Sequence, residues 1–399
     1  MNRVDLHGVA GFRFAAGAAG LKKSGRLDMA LIVADRPAVC AGVFTTNKVV
    51  AAPVQVSAPR VRRGRCQAIL VNSGNANACT GEQGRVDALR CGALAAAALG
   101  IDEELVAVSS TGVIGAPLPM VKFEEAVPKL AAQLRADNAD EVAAAIMTTD
   151  SFAKSYAVTG EVDGRPYRIL GVAKGAGMIH PNMATMLAFV MTDAELDGLF
   201  VDAALRTSVD RSFNCITVDR DTSTNDMVLL LAGGAAGNTP IATGTKAAEA
   251  FQALLDEVLL ELAKMIVRDG EGATKLVRIE VTGAASDAEA RQAACSVATS
   301  NLVKTAFFGQ DANWGRIIAA VGYSGAQVDP ERVDIRFGEV PVVKDGLGTG
   351  KELEARATEV LKTPEFTVAV DLKQGRGRAY YYTSDLTYDY VKINADYRS

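Results

Sequence analysis

Residues 167–191 read YRILGVAKGAGMIHPNMATMLAFVM, and the pattern of this stretch predicts two strands joined by a loop. Tyr167–Ala173 and Met186–Met191 are mainly apolar runs, which are typical of buried strands. The twelve residues between them include two glycines, a proline and an asparagine, which allow backbone conformations that most residues avoid. These residues alone favour an ordinary hairpin loop. The alternative is a strained, enclosed loop that presents Thr185.

Elsewhere, short apolar runs alternate with amphipathic segments, which indicates an α/β fold in which helices and strands share one core. The clearest helix spans about Lys246–Arg268, where apolar residues recur at three- and four-residue spacing. Further helices are predicted over Val86–Leu99 and over Met120–Leu134, the second with a kink at Pro128. The other predicted strands are Ala68–Val71, Val106–Val108, Val228–Leu231, Val333–Phe337, Phe366–Leu372 and Ala379–Thr383.

The composition is that of a globular protein without a strong charge field. A chain of 399 residues exceeds the usual domain size of ~100 to 200 residues, so two subdomains are expected. The 42 Lys and Arg and 47 Asp and Glu give a net charge of -5 without a long block of one sign, so we expect neither a nucleic acid nor a membrane partner. Residues 1–7 do not resemble a secretory signal, and we expect a soluble, cytoplasmic protein.

Cysteine, histidine and carboxylate patterns do not indicate a metal site. The six cysteines contain no Cys-x-x-Cys pair, and His7 and His180 are the only histidines. The acidic residues of segment 217–226 lie among Ser, Thr and Asn, which favours a hydrogen-bonded turn. We therefore expect neither a metal ion nor another resident cofactor.

The string KGAGMIHPNMATMLAF at Lys174–Phe189 is one of six motifs that are spread over most of the chain. The others are VNSGNANA at 71–78, STGVIG at 110–115, MTTD at 147–150, DGEGATK at 269–275 and KINADYRS at 392–399. In this order they resemble the ornithine acetyltransferase family, the bifunctional arginine-biosynthesis proteins that move acetyl groups onto glutamate. Six separated motifs in one order make coincidence a poor explanation.

The resemblance implies that the chain cuts itself between Ala184 and Thr185, which gives an α fragment ending at Ala184 and a β fragment beginning at Thr185. A threonine hydroxyl is a weak nucleophile until a base accepts its proton. Cleavage supplies that base, because the new α-amino group titrates near ~8. General-base assistance contributes about 10² to 10⁴ in rate. Thr185 is therefore the expected nucleophile of an acyl transfer.

The resemblance also assigns roles to residues that are far apart in the sequence. Thr111 and Gly112 match the positions that stabilise the oxyanion, where glycine lets backbone N–H groups approach closely. His180 matches a position that is Ala or His in the family, so we interpret it as a loop residue and not as the base. The residues that match substrate contacts are Thr148, Lys174, Thr185, Glu271, Asn394 and Ser399.

The implied fold is an αββα sandwich of the self-processing, DmpA-like type, with a smaller C-terminal α/β subdomain. Residues 1–184 would form the N-terminal half of the shared core, and residues 185–275 would begin the β fragment. Residues 276–399 would form the subdomain whose tail returns to the site. The fragments are expected to stay associated as an α2β2 assembly, because strands on both sides of the cut belong to one core.

The implied activity is that of a glutamate N-acetyltransferase, which transfers acetyl from N-acetylornithine to glutamate through an acetyl-Thr185 intermediate. Some relatives also accept acetyl coenzyme A, and no motif here decides whether this chain does. The first alternative is a self-processing amidase or aminopeptidase with an N-terminal nucleophile, which would release acetate without glutamate. The second is a non-enzymatic small-molecule binding protein, which would remain one intact polypeptide.

Overall fold

The computed structural model describes residues 6–180 and 186–396. Ala184, Thr185 and Ser399, which the resemblance assigns to the site, lie outside these residues. The strands of the described chain are β1 (Phe12–Gly17), β2 (Met29–Phe44), β3 (Arg65–Asn75), β4 (Val106–Val113), β5 (Lys154–Val162), β6 (Arg165–Lys174), β7 (Leu187–Thr192), β8 (Ile216–Thr217), β9 (Met227–Ala232), β10 (Leu276–Ala284), β11 (Asp334–Phe337), β12 (Val340–Lys344), β13 (Leu347–Gly348), β14 (Glu365–Asp371) and β15 (Gly377–Ser384). Its helices are α1 (Ala52–Val61), α2 (Gly81–Leu99), α3 (Met120–Ala132), α4 (Ala139–Ala145), α5 (Gly198–Arg211), α6 (Lys246–Arg268), α7 (Asp287–Thr299), α8 (Asn301–Phe308), α9 (Trp314–Gly322), α10 (Lys351–Leu361) and α11 (Tyr388–Asp396).

The first sheet has the strand order β4-β3-β2-β9-β7-β6-β5, and β1 also pairs with β2. Strand β2 belongs to two half-sheets. Its residues 29–33 pair with both β1 and β3, whereas residues 39–44 pair with β9. The register with β3 shifts between Val33 and Ala38, where Pro37 has no N–H group for a continuous ladder. The strand therefore passes from one half-sheet to the other.

The two half-sheets pack face to face. Ile32 and Ile69 of the first half share one buried cluster with Phe189 and Leu229 of the second. Helices α2 and α3 cover the outer face of the first half, and α5 and α6 cover the outer face of the second. The layers are therefore helix, sheet, sheet and helix, which confirms the predicted αββα sandwich.

The second sheet has the order β13-β12-β11-β14-β10-β15-β8 and carries α7, α9 and α10. Six of its strands lie between residues 276 and 384, and the seventh in the described chain is β8. Strand β8 pairs in parallel with β15. The segment that follows β8, residues 218–226, leads back to the first sheet, so it connects the second sheet to the predicted processing region.

The predicted helices and strands all have counterparts. Helix α6 has the predicted limits, α2 begins five residues earlier than predicted, and α3 continues through Pro128 to Ala132. Strands β6 and β7 pair with each other in antiparallel fashion on either side of the predicted processing segment. No helix in residues 6–180 and 186–396 is long and apolar enough to cross a membrane.

Candidate active site

The residues on both sides of the predicted cleavage point belong to the middle of the first sheet. Lys174, the last residue of β6, pairs with Leu187 of β7, and β7 also pairs in parallel with β9. The N–H of Met186 donates to Asp226 Oδ1 at 3.1 Å, and the N–H of Met227 donates to the Met186 carbonyl at 3.3 Å. The residue that follows Thr185 in the chain is therefore fixed within the core.

The segment 174–180 is held by two carboxylates from distant parts of the chain. The N–H of Gly175 donates to Asp150 Oδ1 at 2.7 Å, and the N–H groups of Met178 and Ile179 donate to the two oxygens of Asp219. Burial raises the pKa of Asp219 to about 6, although these N–H groups oppose the shift. At neutral pH the carboxyl is mostly ionised and can accept both hydrogen bonds.

Glu271 joins this segment to the C-terminal helix. Its N–H donates to the Ala176 carbonyl at 2.9 Å, and a Cβ atom at Gly177 would lie 2.4 Å from Glu271 Cδ. A side chain at 177 would push the Glu271 carboxylate away, so glycine permits this close approach. Asn394 Nδ2 donates to Glu271 Oε2 at 2.8 Å. Two residues that are 123 positions apart and were both predicted as substrate contacts are thus in direct contact.

Lys174 belongs to a buried cluster of charged side chains. Its Nζ lies 4.0 Å from Asp150 Oδ2, while Lys154 Nζ bonds to Asp150 Oδ1 at 2.7 Å and also contacts Asp269. The N–H of Thr148 donates to Asp150 Oδ2 at 2.9 Å. Burial opposes ionisation of Asp150, but the two lysines hold its pKa below the usual range. Asp150 therefore positions both Thr148 and Lys174.

Burial lowers the pKa of Lys174, and Asp150 and Glu271 oppose that shift while Lys154 adds to it. The distance from Lys174 Nζ to Asp150 Oδ2 is longer than a hydrogen bond. The carboxylate therefore attracts the ammonium group without forming a direct hydrogen bond to it. A buried ammonium is suited to binding a carboxylate.

Thr111 and Gly112 lie near the end of β4, and the backbone there is tightly packed. Gly112 has a φ of 133°, and a Cβ atom on it would lie 2.3 Å from the carbonyl carbon of Gly74. Only glycine fits at this position. Asn225 Nδ2 donates to the carbonyl of Ser110 at 2.9 Å. The strand residues Thr111 and Gly112, which were predicted to stabilise the oxyanion, are therefore fixed by the contact of Asn225 with the preceding residue.

His180 lies at the edge of a polar cavity of about 970 Å³ on the side of the second sheet. The cavity is also lined by Asp219, Arg220 and Arg291. His180 Nδ1 lies 3.3 Å from Thr217 Oγ1. Burial lowers the pKa of His180, and Arg220 adds to this effect. The imidazole is thus neutral at pH 7, and its described contact is to a hydroxyl that already donates to the Ile179 carbonyl.

Replacing His180 by alanine is expected to retain most of the activity, within about tenfold of the wild type, because a general base would contribute about 10² or more. The side chain contacts Thr217, whose hydroxyl donates to the Ile179 carbonyl. The measurement is the turnover number of fully processed protein. A loss of a hundredfold or more with normal processing would assign the role of base to His180.

The structure brings most of the predicted site residues to one region. Thr148 and Lys174 both interact with Asp150, and Glu271 contacts Asn394. Asn225 contacts the residue before Thr111 and Gly112, and the next residue, Asp226, contacts Met186 at the start of the strand that follows Thr185. No site role was predicted for the residues that hold these groups in place, whose main signal in the sequence is a position inside a polar run or a motif. These residues are Asp150, Lys154, Asp219, Asn225, Asp226 and Asp269. Among the described residues, no group of three or more His, Cys, Asp or Glu side chains could hold a metal ion.

Comparison with known proteins places this geometry in a family. The model of the ArgJ family matches residues 13–399. The arginine biosynthesis bifunctional protein ArgJ of Syntrophotalea carbinolica is 66% identical over 98% of this chain and 99% of that protein. The protein of the same name from Geobacter sulfurreducens is 58% identical over 98% of this chain and 100% of that protein. The solved structure of arginine biosynthesis bifunctional protein argJ from Bacillus halodurans has 47% identity and a TM-score of 0.51, and it covers 52% of this chain and 98% of that chain. The chain belongs to the ArgJ family.

Proposed function

We propose that this chain is the acetyltransferase of arginine biosynthesis that transfers acetyl from N-acetylornithine to glutamate. Family membership and the near full-length similarity to proteins named for arginine biosynthesis support this proposal. The main observation behind it is that Glu271 and Asn394 lie beside the segment that begins at Lys174 and leads to Thr185. A buried ammonium beside a carboxylate and an amide suits an amino-acid substrate.

In this proposal, self-cleavage at Ala184–Thr185 prepares the nucleophile. The free amino group of Thr185 accepts the proton of its own hydroxyl group, which makes the hydroxyl oxygen reactive. The solved structure from Bacillus halodurans supports cleavage of a precursor. The match covers 98% of that chain but only 52% of this one. Its length is therefore about half that of this chain, as expected for one fragment of a processed relative.

Transfer then proceeds in two steps. Thr185 Oγ attacks the acetyl carbonyl of N-acetylornithine, the oxyanion is stabilised by N–H groups at Thr111 and Gly112, and ornithine leaves. The amine of glutamate next attacks the acetyl-Thr185 ester. Both substrates have an α-carboxylate, which Lys174 is suited to bind. The side-chain ammonium of ornithine is the natural partner of Glu271.

The deciding assay supplies N-acetylornithine with a labelled acetyl group in the presence and absence of glutamate. The proposal predicts labelled N-acetylglutamate in the first case and little free acetate in the second. Release of labelled acetate at the same rate without glutamate would instead identify an amidase. Replacing N-acetylornithine by acetyl coenzyme A in the same assay tests the second donor that the family resemblance implies.

Deleting residues 394–399 is expected to reduce acetyl transfer below detection while the protein remains folded. Asn394 contacts Glu271 from the exposed helix α11, so its loss removes a site contact without opening the core. The measurements are the transfer rate and the thermal unfolding midpoint. Lys392→Ala, on the same exposed helix, is the control and is expected to have near-normal activity. A deletion variant with wild-type activity would exclude a role for this tail.

We further propose that the mature enzyme is an α2β2 assembly in the cytoplasm. Exposed apolar side chains on α11 support association, since Tyr388 is 83% and Val391 63% exposed. The cytoplasmic location is supported by the six cysteines, all of which lie in the described chain without a disulfide. Light scattering of processed protein tests the assembly, and a mass equal to one α and one β fragment would contradict it.

A further inference from the structure

Residues 18–28, which connect β1 with β2, form a loop that is held by one buried carboxylate. The N–H of Ala19 donates to Asp28 Oδ1 at 2.6 Å, and the N–H groups of Leu21 and Lys22 donate to Asp28 Oδ2 at 2.6 and 2.9 Å. Asp28 is fully buried. Because three hydrogen bonds to one fixed carboxylate give this loop a defined shape, the half-buried side chain of Lys22 starts from a fixed backbone position.

Lys22 packs beside the candidate oxyanion residues. A Cβ atom on Gly74 would lie 3.3 Å from Lys22 Cγ. Gly74 pairs with Gly112 between β3 and β4, and its carbonyl carbon is the atom that leaves no room for a side chain at Gly112. The stem of Lys22 is therefore separated from Gly112 by a single glycine.

The ammonium group of Lys22 lies at the end of α4, near the segment that leads to Thr148. Its Nζ donates to the carbonyl of Leu27 at 2.8 Å and to that of Ala145 at 3.4 Å. The Ala145 carbonyl also accepts the hydroxyl of Ser73 at 2.5 Å. Ala145 is the last residue of α4 and lies three positions before Thr148 in the chain. Lys22 therefore connects the end of β3 with the segment that contains Thr148.

Lys22 also belongs to the charged region around Lys174. Burial lowers the pKa of Lys22 to about 8, Asp28 and Asp150 oppose the shift, and Lys174 and Arg26 add to it. The group is therefore mainly an ammonium ion at neutral pH. Its described contacts are with carbonyl oxygens, which do not neutralise its positive charge. Because an ammonium can donate three hydrogen bonds, a carboxylate can bind beside the two carbonyls.

The two substrates of the proposed exchange carry opposite charges at the ends of their side chains. N-acetylornithine ends in an ammonium group and glutamate ends in a carboxylate, yet each must place its α-nitrogen next to the same acetyl group. Glu271, the proposed partner of the ornithine ammonium, repels the side-chain carboxylate of glutamate. A site that receives both substrates in turn therefore needs a cation for the side chain of the acceptor.

We propose that Lys22 binds the side-chain carboxylate of glutamate and thereby selects the acetyl acceptor. The inference rests on the proposed function and deepens it by naming the group that recognises the second substrate. Lys174 binds the α-carboxylate in that proposal, and Lys154 is held by the carboxylates of Asp150 and Asp269. Lys22 is the nearby ammonium that contacts carbonyl oxygens instead, so it can give its charge to a bound acceptor.

The test compares glutamate with glutamine as acceptors for processed Lys22→Met, with Lys23→Met as the matched control. Glutamine has nearly the same shape as glutamate but no side-chain charge, and Lys23 is the exposed neighbour in the same loop. The rate of acetyl transfer from N-acetylornithine is measured over a range of acceptor concentrations. For Lys22→Met we expect kcat/KM for glutamate to fall about 10- to 100-fold, mainly through KM, and the value for glutamine to stay within about threefold. Lys23→Met should keep wild-type values for both acceptors.

A second measurement separates acceptor binding from a structural effect on the oxyanion residues. Acetylation of the enzyme by N-acetylornithine without glutamate is followed by rapid quenching and intact mass. If Lys22 acts on the acceptor, Lys22→Met keeps the wild-type rate of this step within about threefold. A disturbance transmitted through Gly74 to Gly112 would slow this step as well as the transfer to glutamate, and that result would overturn the proposal.

Two further results would also overturn the proposal. One is a wild-type enzyme that uses glutamine as well as glutamate, and the other is a folded Lys22→Met that keeps the wild-type preference for glutamate. If Lys22→Met yields no folded and processed enzyme, Lys22→Gln, which also removes the charge, is judged by the same criteria. Wild-type enzyme that is never acetylated by N-acetylornithine, or that passes acetyl to water, would instead contradict the proposed function.

Discussion

Thr185→Ala is expected to yield one intact chain of 399 residues that has no acetyl transfer activity. The substitution removes the hydroxyl that attacks Ala184, so the amino group that would act as the base of transfer is never released. Intact-mass measurement of the purified variant checks the first effect, and the assay with labelled N-acetylornithine checks the second. We expect transfer to fall to background, which is the largest effect anticipated for any single substitution in this chain.

Thr185→Ser is the matched control, because serine keeps the hydroxyl and loses only a methyl group. We expect it to be cleaved, although more slowly than the wild type, and to retain measurable transfer. A thermal unfolding midpoint close to that of the wild type should accompany both variants. Two fragments in the mass spectrum of Thr185→Ala would mean that another residue or a contaminating protease makes the cut.

Gly112→Ala is expected to lower both self-cleavage and acetyl transfer by about 10² to 10³, the effect of losing an oxyanion donor. At a φ of 133° an L-residue is strained, and its Cβ atom would lie 2.3 Å from the carbonyl carbon of Gly74. The backbone must move to relieve this contact, so the N–H groups of Thr111 and Gly112 no longer point to the same place. Cleavage kinetics and the turnover of any processed fraction measure the two effects.

Gly115→Ala controls for backbone strain in the Gly112 experiment. Gly115 also has a positive φ, 86°, but a Cβ atom there would meet nothing within 4 Å. This variant should lose some stability and keep its rates within about tenfold, because no oxyanion donor moves. Equal losses of rate in the two variants would show that general destabilisation, and not the geometry at Gly112, causes the effect.

Regular elements with a strong apolar period could be predicted from the sequence. Helix α6 has the predicted limits because its apolar residues recur on one face over 23 residues. Strand β2 was not predicted, although it is the longest strand of the described chain. Asp35, Arg36 and Pro37 interrupt its apolar pattern, and they lie where the strand passes between the two half-sheets. The interruption can therefore be explained only from the tertiary structure, and not from the sequence pattern.

The candidate site shows a similar division. The resemblance to a family supplied Thr111, Gly112, Thr148, Lys174, Glu271 and Asn394, which no local spacing would have joined. No site role was predicted for the aspartates around these residues, Asp150, Asp219 and Asp226, because a carboxylate that accepts a backbone N–H group has no periodic signature in a sequence. Burial and neighbouring charges decide their protonation, and both depend on contacts made by distant segments.

The most direct test of the mechanism is to locate the acetyl group on the protein. Processed enzyme is mixed with N-acetylornithine without glutamate, quenched in acid, and the β fragment is analysed by intact mass and peptide fragmentation. The proposed mechanism predicts one added acetyl group, located on Thr185 and lost when glutamate is added before the quench. Active enzyme that transfers acetyl to glutamate without ever acquiring this ester, or acquires it at a different residue, would contradict the central claim.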